Sequence, residues 1–214
     1  MVKRHERSSF GSAYSFPGGV LEDADSEMEN LCSGLTPVVA NRLLELETGG
    51  LGYFSAAVRE LFEEAGVLLG SHALSANGLE DARARLNEGT LRWDAFAQDN
   101  DLKLLCDQLH YFSYWITPDA MPKRYATRFF LAEMPRGQRA NHCGRELTDS
   151  CWLTASSVLA ASETGDMRVH YPTRKTLEHL AAFESVSDLS AWAMSCGDSG
   201  VPCNYPAFVP SSER

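Results

Sequence analysis

One stretch of this chain reads Ala56-Ala57-Val58-Arg59-Glu60-Leu61-Phe62-Glu63-Glu64-Ala65-Gly66-Val67 and has the apolar spacing of an amphipathic helix. On a helix, Glu60, Glu63 and Glu64 fall at i, i+3 and i+4, so their carboxylates crowd onto one face and repel each other. A bound hard divalent cation would remove this repulsion. The alternative is an acidic helix face that is simply solvated. Gly66 is placed to end the helix as a C-cap glycine.

A second motif lies upstream, where Phe16-Pro17-Gly18-Gly19 forms a strand-to-loop turn. Glycine permits positive φ angles and close backbone approach, so we expect Gly18 and Gly19 at the edge of the same site, in contact with metal or substrate. Asp25 stands six residues after Gly19, and residues 26 to 58 separate Asp25 from Arg59.

Together these two segments resemble the Nudix box, whose pattern is G-x5-E-x7-R-E-U-x-E-E-x-G-U with U apolar. Arg59 to Val67 matches every fixed position of the second half. Gly19 opens the first half, in which Asp25 stands where the family has Glu. The long segment between Asp25 and Arg59 resembles the Nudix subgroup with an insert inside the box, which includes the peroxisomal coenzyme A diphosphatase.

The resemblance implies an α/β fold, the Nudix α/β/α sandwich with a mixed sheet, whereas periodicity alone indicates only α+β or α/β. We expect the first strand to be lacking and the N-terminus to be truncated, because only Met1-Val2-Lys3 remains to supply that strand. The predicted Nudix domain covers residues 1–195 and the insert residues 26–54. Residues 37 to 46 are predicted to form a short amphipathic helix of a lid, residues 49 to 52 a flexible joint, and residues 196–214 a loose tail.

The resemblance also implies roles for the acidic residues. Glu63 and Glu64 would be the main ligands of Mg²⁺ or Mn²⁺, and Glu60 would bind the metal or position the nucleophilic water. Arg59 would orient the catalytic site by pairing with Asp25, through a weaker or water-bridged contact because Asp is one methylene shorter than Glu. Glu146, six residues before Trp152, would be a further metal-binding or base residue.

Three arginines are candidates for substrate binding. Arg7 precedes the glycine turn, where the insert-bearing subgroup has an Arg-Ser pair. Arg124 and Arg128 share the parity of a predicted strand over residues 124 to 132, which follows another at residues 110 to 118. The alternative for each arginine is a solvated surface charge.

The predicted function is therefore enzymatic: metal-dependent cleavage of a nucleoside diphosphate-linked small molecule. Coenzyme A or acyl-CoA, split to 3',5'-ADP and (acyl-)4'-phosphopantetheine, is the first hypothesis and comes from the subgroup. Two alternatives stay open, since the box specifies the diphosphate and not its ends. One is the same chemistry on ADP-ribose, NADH or a related metabolite. The other is a noncatalytic Nudix module that senses a nucleotide.

Composition limits the partners. The formal net charge of -10 argues against nonspecific nucleic-acid binding, which needs clustered Lys and Arg. The six cysteines include no C-x-x-C pair, and the sequence has no signal peptide or long apolar run. These features predict reduced thiols, a cytoplasmic location and no membrane partner. A zinc site from His142, Cys143 and Cys151 is an alternative with unusual spacing. The oligomeric state stays open.

Overall fold

The computed structural model describes residues 1–4, 12–144 and 147–206. Helices and strands are interspersed along these residues, which agrees with the predicted α/β class. The helices are α1 (Asp23–Ser26), α2 (Pro37–Leu44), α3 (Gly50–Ala65), α4 (Ala76–Asn87), α5 (Trp93–Asp99), α6 (Ala155–Thr164), α7 (Tyr171–Leu180) and α8 (Val186–Ser199). The strands are β1 (Val2–Arg4), β2 (Tyr14–Ser15), β3 (Cys32–Ser33), β4 (Gly70–Ser71), β5 (Lys103–Leu105), β6 (His110–Ile116), β7 (Ala126–Leu131), β8 (Leu147–Ser150) and β9 (Cys203–Asn204).

Helix α3, which carries the acidic motif, passes through the middle of the main core. Its Phe54, Val58 and Phe62 are almost completely buried. Phe62 stacks on Phe96 of α5 with the ring centroids 5.8 Å apart, so the helix is fixed from the apolar side. As predicted, the helix ends at a left-handed glycine: Gly66 has φ +70° and donates its N–H to the carbonyl of Phe62.

The insert is part of this core. The predicted short helix forms as α2, which starts at the Thr36 N-cap and Pro37. Ala40 and Leu44 of α2 are buried in the main core, as is Met28 near the start of the insert. Because α2 packs on α3 and buries Ala40 and Leu44, this part of the insert contributes to the core, and its role as a lid stays a prediction.

The glycines at the end of the insert also differ from expectation. Gly49 is the N-cap of α3 and Gly50 is its first residue, so this segment is the start of a helix and not a flexible joint. At Gly50 the backbones of α2 and α3 approach so closely that a Cβ would lie 2.7 Å from the carbonyl carbon of Ala40 and from the amide nitrogen of Asn41. The glycines therefore allow tight helix packing.

The described strands form three sheets of three strands each, in the orders β2-β1-β8, β3-β5-β4 and β7-β6-β9. Two of these sheets are mixed, since β3 and β5 are parallel while β4 and β5 are antiparallel, and β6 pairs parallel with β9 and antiparallel with β7. The two predicted strands of the second half form as β6 and β7. Ahead of the glycine turn, β1 supplies a strand of three residues.

A smaller apolar cluster joins the N-terminal strand to the helices after β8. Its buried members are Val158 of α6, Leu177 of α7, and Met167 between these two helices. Beyond them, α8 continues to Ser199, and β9 pairs with β6. In the segment from residue 196 that was predicted to be loose, Cys196 and Val201 are buried in the main core, whereas Cys203 and Tyr205 are exposed. Residues 207–214 lie outside the described part.

Two negative findings concern the whole described chain. None of its helices combines the length and the apolar character required to cross a bilayer. All six cysteines are free, and their reduced state stays a prediction.

We expect Gly50→Ala to destabilise the protein by about 1–3 kcal/mol, because the new methyl group would meet the backbone of α2 and the two helices would have to separate. Urea unfolding measures this change in the free energy of unfolding. Gly78→Ala is the matched control: Gly78 lies in the first turn of α4, where the nearest atom to a Cβ is 3.4 Å away. The control should be neutral or slightly stabilising. Equal effects at the two glycines would contradict the tight packing.

Candidate active site

The last turns of α3 bring the acidic motif against the glycine turn. Glu64 accepts a hydrogen bond on Oε2 from the backbone N–H of Gly18, at 2.8 Å. Gly19 lies even closer to the motif, since a Cβ on it would be 2.2 Å from Oε1 of Glu60. Only a residue without a side chain fits there while Glu60 keeps this position. The structure thus brings together two sequence segments whose contacting residues, Gly18 and Glu64, are 46 positions apart.

Arg59 is the centre of a buried ion-pair network. Its Nε and Nη2 donate to Oδ1 and Oδ2 of Asp25, each at 3.0 Å, and Nη2 also donates to the carbonyl of Val20 at 2.9 Å. The pairing with Asp25 was predicted, but it is direct and bidentate. No water bridge is needed, because the short helix α1 carries Asp25 right up to α3.

Asp25 is completely buried, and further groups satisfy its oxygens. The backbone N–H of Glu22 donates to Oδ2 at 2.9 Å, and the Ser55 hydroxyl lies 3.4 Å from Oδ1. Trp93 in turn donates its indole N–H to the Ser55 oxygen at 3.0 Å. Sequence reasoning missed Ser55 and Trp93. The only available signal for Ser55 was its place one helical turn before Arg59.

Arg59 also reaches two of the acidic residues that follow it. Its Nη1 donates to Oε1 of Glu60 at 2.9 Å and to Oε2 of Glu63 at 3.3 Å. The Glu22 carboxylate lies 3.8 Å from the same nitrogen. One guanidinium therefore faces several carboxylates, and negative charge remains in excess around it.

The pKa values of Glu60 and Glu63 are raised because burial disfavours their charged forms and the positive charge of Arg59 offsets this effect only in part. Burial raises the pKa of Glu63 to about 7 and also raises the pKa of Glu60, even though the charge of Arg59 acts in the opposite direction. Burial by itself would lower the pKa of Arg59, but its hydrogen bond to Asp25 and the neighbouring carboxylates outweigh this effect and raise it. A carboxylate cluster of this kind is stabilised by additional positive charge.

An open cavity of about 580 Å³ lies beside the network and gives it access to small molecules. Arg59 and Glu63 line it from α3, together with Leu21 and Glu22 from the glycine segment. Trp93, Arg92 and the end of α4 form the other side. The cavity is large enough for part of a nucleotide-sized ligand.

The donor set of Glu60, Glu63 and Glu64 suits a hard cation such as Mg²⁺ or Mn²⁺, which binds carboxylate oxygen. In the ranges that the structure covers, no three or more His, Cys, Asp or Glu side chains are arranged to hold a metal. The reason is visible in the contacts: Glu64 faces Gly18, whereas Glu60 and Glu63 face Arg59. The chemistry of the donors fits a divalent cation, and their side chains would have to turn toward it.

The predicted substrate-binding arginines lie in different surroundings. Arg124 precedes β7, which begins at Ala126, so the shared strand parity with Arg128 was wrong; Arg124 is exposed and pairs with Asp119 at 2.7 Å. Arg128 lies between the rings of Tyr53 and Tyr114, 4.4 and 4.5 Å from their centroids. It borders a separate cavity of about 190 Å³. Substrate binding by either arginine stays a prediction.

The remaining predicted site residues either lie outside the described residues or do not form the predicted site. Arg7 and Glu146 lie outside the described residues, so their roles stay predictions. The alternative zinc site finds no support among the described residues. Nδ1 of His142 lies 3.2 Å from the Ser150 hydroxyl.

We expect Asp25→Ala to lower the free energy of unfolding by about 3–5 kcal/mol, because it leaves the buried guanidinium of Arg59 without its bidentate partner. Urea denaturation tests this value. Asp81→Ala serves as the control, since Asp81 forms an exposed pair with Arg85 at 3.8 Å and should cost less than about 1 kcal/mol. A loss at Asp25 no larger than at Asp81 would contradict the central role of the pair.

The chain is similar to known proteins of one family. A family model described as the NUDT19 Nudix domain matches residues 48–179, which is well over half of the chain. The chain is 22% identical to the acyl-coenzyme A diphosphatase NUDT19 of Xenopus laevis over 88% of its own length and 61% of that protein. It is 24% identical to a Caenorhabditis elegans protein provisionally named nudix hydrolase 7, over 85% of its own length and 55% of that protein.

The fold has a solved counterpart. The structure matches that of a NUDIX hydrolase from Alicyclobacillus acidocaldarius with a TM-score of 0.71 and 23% identity, covering 89% of this chain and 86% of the other. This similarity establishes the fold. The chain spans 55% and 61% of the length of the two curated relatives that it matches. Because the family model covers most of the described core, including the whole of α3, the chain belongs to the Nudix superfamily, in the family of the NUDT19 Nudix domain.

Proposed function

We propose that this chain is a metal-dependent Nudix diphosphatase, with coenzyme A or an acyl-CoA as its first candidate substrate. The observation that carries the proposal is the excess of carboxylates around the buried Arg59, with Glu60 and Glu63 partly buried, at the edge of an open cavity. Such an excess is costly for the fold unless a cation joins it. The similarity to an acyl-coenzyme A diphosphatase supports the choice of substrate.

Glu60, Glu63 and Glu64 would hold Mg²⁺ or Mn²⁺ in this proposal. When bound, the cation supplies neutralisation of the phosphoryl oxygens and activation of a water molecule. Arg59 is anchored to Asp25 and positions Glu60 and Glu63 through its Nη1, and Glu63 lines the cavity. The backbone of Gly18 and Gly19 orients Glu64 and leaves space for Glu60.

With an acyl-CoA as substrate, hydrolysis of the diphosphate linkage would give 3',5'-ADP and the 4'-phosphopantetheine part. The water oxygen forms the new phosphorus–oxygen bond, and the other phosphate leaves. The negative surface is compatible with such an anionic substrate, because a bound cation reverses the local field.

A second candidate is a noncatalytic Nudix module that binds a nucleotide. The observation in its favour is that Arg59 occupies the carboxylates of Glu60 and Glu63 and that the described residues contain no assembled metal site. Incubating the purified chain with Mg²⁺ or Mn²⁺ and with coenzyme A, acyl-CoA, ADP-ribose or NADH separates the candidates. Release of 3',5'-ADP supports the first. Preference for another compound changes the substrate, and binding without turnover in every case supports the module.

The cytoplasmic location stays a prediction.

We expect Glu63→Gln to lower kcat by at least about 100-fold, because it removes a charged ligand of the cation. The protein should remain folded, since burial already raises the pKa of Glu63 to about 7 and a neutral side chain is tolerated there. Product chromatography and circular dichroism measure the two effects. Glu47→Gln, at an exposed position of the insert, is the control and should keep full activity. Unchanged turnover in Glu63→Gln would move the catalytic role to other residues.

We expect Gly19→Ala to reduce turnover about 10-fold or more while changing the free energy of unfolding by less than about 1 kcal/mol. The new methyl group would displace the carboxylate end of Glu60, which is flexible, and would leave the core intact. Kinetics and urea unfolding of the same preparation give both values. The neighbouring Val20→Ala, at a residue that is 68% exposed, is the control. A stable Gly19→Ala protein with normal kinetics would contradict the prediction that turnover depends on the position of Glu60 beside Gly19.

A further inference from the structure

The carboxyl end of α3 is held by groups from other elements. The last carbonyls of a helix have no partner within the helix itself. Here the carbonyl of Glu63 accepts from Nε of Arg83 at 3.0 Å and from Nδ2 of Asn87 at 3.1 Å. The carbonyl of Glu64 accepts from Nη2 of Arg83 at 2.9 Å. The carbonyl of Ala65 accepts from the N–H of Asn141 at 2.9 Å.

Arg83 is the central group of this arrangement, which we name the α3 clamp (Arg83, Asn87 and Asn141). Besides the two helix carbonyls, Arg83 donates from Nη1 to the side-chain oxygen of Asn141 at 2.6 Å and from Nη2 to its carbonyl at 2.8 Å. These acceptors are all uncharged. The positively charged guanidinium of Arg83 lies at the negative end of the α3 dipole, where a positive charge is favourable. Burial lowers its pKa.

The guanidinium is suited to this position in a way that lysine is not. Its Nε and Nη2 lie on one edge and address two consecutive carbonyls, those of Glu63 and Glu64. Gly66 makes room for it: a Cβ there would lie 2.8 Å from Nη1 of Arg83 and from Oδ1 of Asn141. The glycine of the motif therefore has two functions, a left-handed C-cap and space for the clamp.

The two residues whose carbonyls are held are also the two proposed main metal ligands. Arg59 contacts the side chains of the acidic residues, whereas Arg83 contacts only their backbone and leaves the carboxylates available. We propose that Arg83 is a positioning residue of this site: it fixes the last turn of α3 and so the directions in which Glu63 and Glu64 project. This inference rests on the proposed function and adds a residue from outside the motif.

The test uses Arg83→Lys, Arg83→Ala and Asn87→Ala in the full chain, with two controls on the same helix. Arg85→Lys changes an exposed arginine, and Ala82→Gly weakens α4 without touching the clamp. Four quantities are measured: the Kd of Mn²⁺ by electron paramagnetic resonance, the kcat and KM for the best substrate of the panel, and the urea midpoint. The Mn²⁺ affinity is measured in the absence of substrate and so does not depend on enzymatic activity.

Both Arg83 variants should raise the Kd of Mn²⁺ about 10- to 100-fold, as for groups that orient metal ligands, and lower kcat at limiting metal more than they raise KM. Asn87→Ala should have a smaller effect in the same direction. Ala82→Gly should lower the urea midpoint with an unchanged Kd, and Arg85→Lys should change neither.

Normal Mn²⁺ affinity and kcat in folded Arg83→Lys protein would overturn the inference, whatever its stability. If Arg83→Ala does not fold, Arg83→Lys and Asn87→Ala decide. A wild-type chain that binds Mn²⁺ without turnover would remove the proposed hydrolase while the affinities still test the clamp. A wild-type chain that does not bind Mn²⁺ would overturn both.

Discussion

The bidentate ion pair between Arg59 and Asp25 is the interaction on which the site depends. A buried ion pair is stable only when its geometry is good and its remaining donors and acceptors are satisfied. Here both oxygens of Asp25 are bonded, and Ser55 connects it to Trp93. Arg59 uses Nε and Nη2 for this pair and for the glycine segment, and Nη1 remains for the acidic face. One side chain thus links α1, the glycine turn and α3.

The acidic groups around this pair exceed the positive charge that the fold supplies. Burial raises the pKa values of Glu60 and Glu63 although Arg59 contacts both. A purely structural network would be expected to approach balance, because unpaired buried charge destabilises the folded state. The imbalance is therefore the physical reason to look for a cation, and it agrees with the metal-dependent chemistry proposed for this chain.

The insert lengthens the chain between the two halves of the Nudix box but leaves the contact between them intact. Residues 26 to 58 separate Asp25 from Arg59, yet the two side chains meet at 3.0 Å. Loop-closure entropy rises only slowly with length, so a long connection is affordable when it packs. The buried Ala40, Leu44 and Met28 provide that packing. Close contact at Gly50 then sets the position of α3 relative to the insert.

From local periodicity, the sequence by itself predicted the helix that carries the acidic motif, its glycine cap and the strands β6 and β7. Through the resemblance to the Nudix box it also predicted the α/β class and the pairing of Arg59 with Asp25. Only the tertiary structure decided that Met28, Ala40 and Leu44 of the insert and Cys196 and Val201 near the C-terminus belong to the core. It also decided that Arg124 lies outside β7 and that Arg83 holds the end of α3. Each of these depends on contacts between residues distant in the chain, such as Arg83 with Asn141, and spacing along one sequence carries no signal for them.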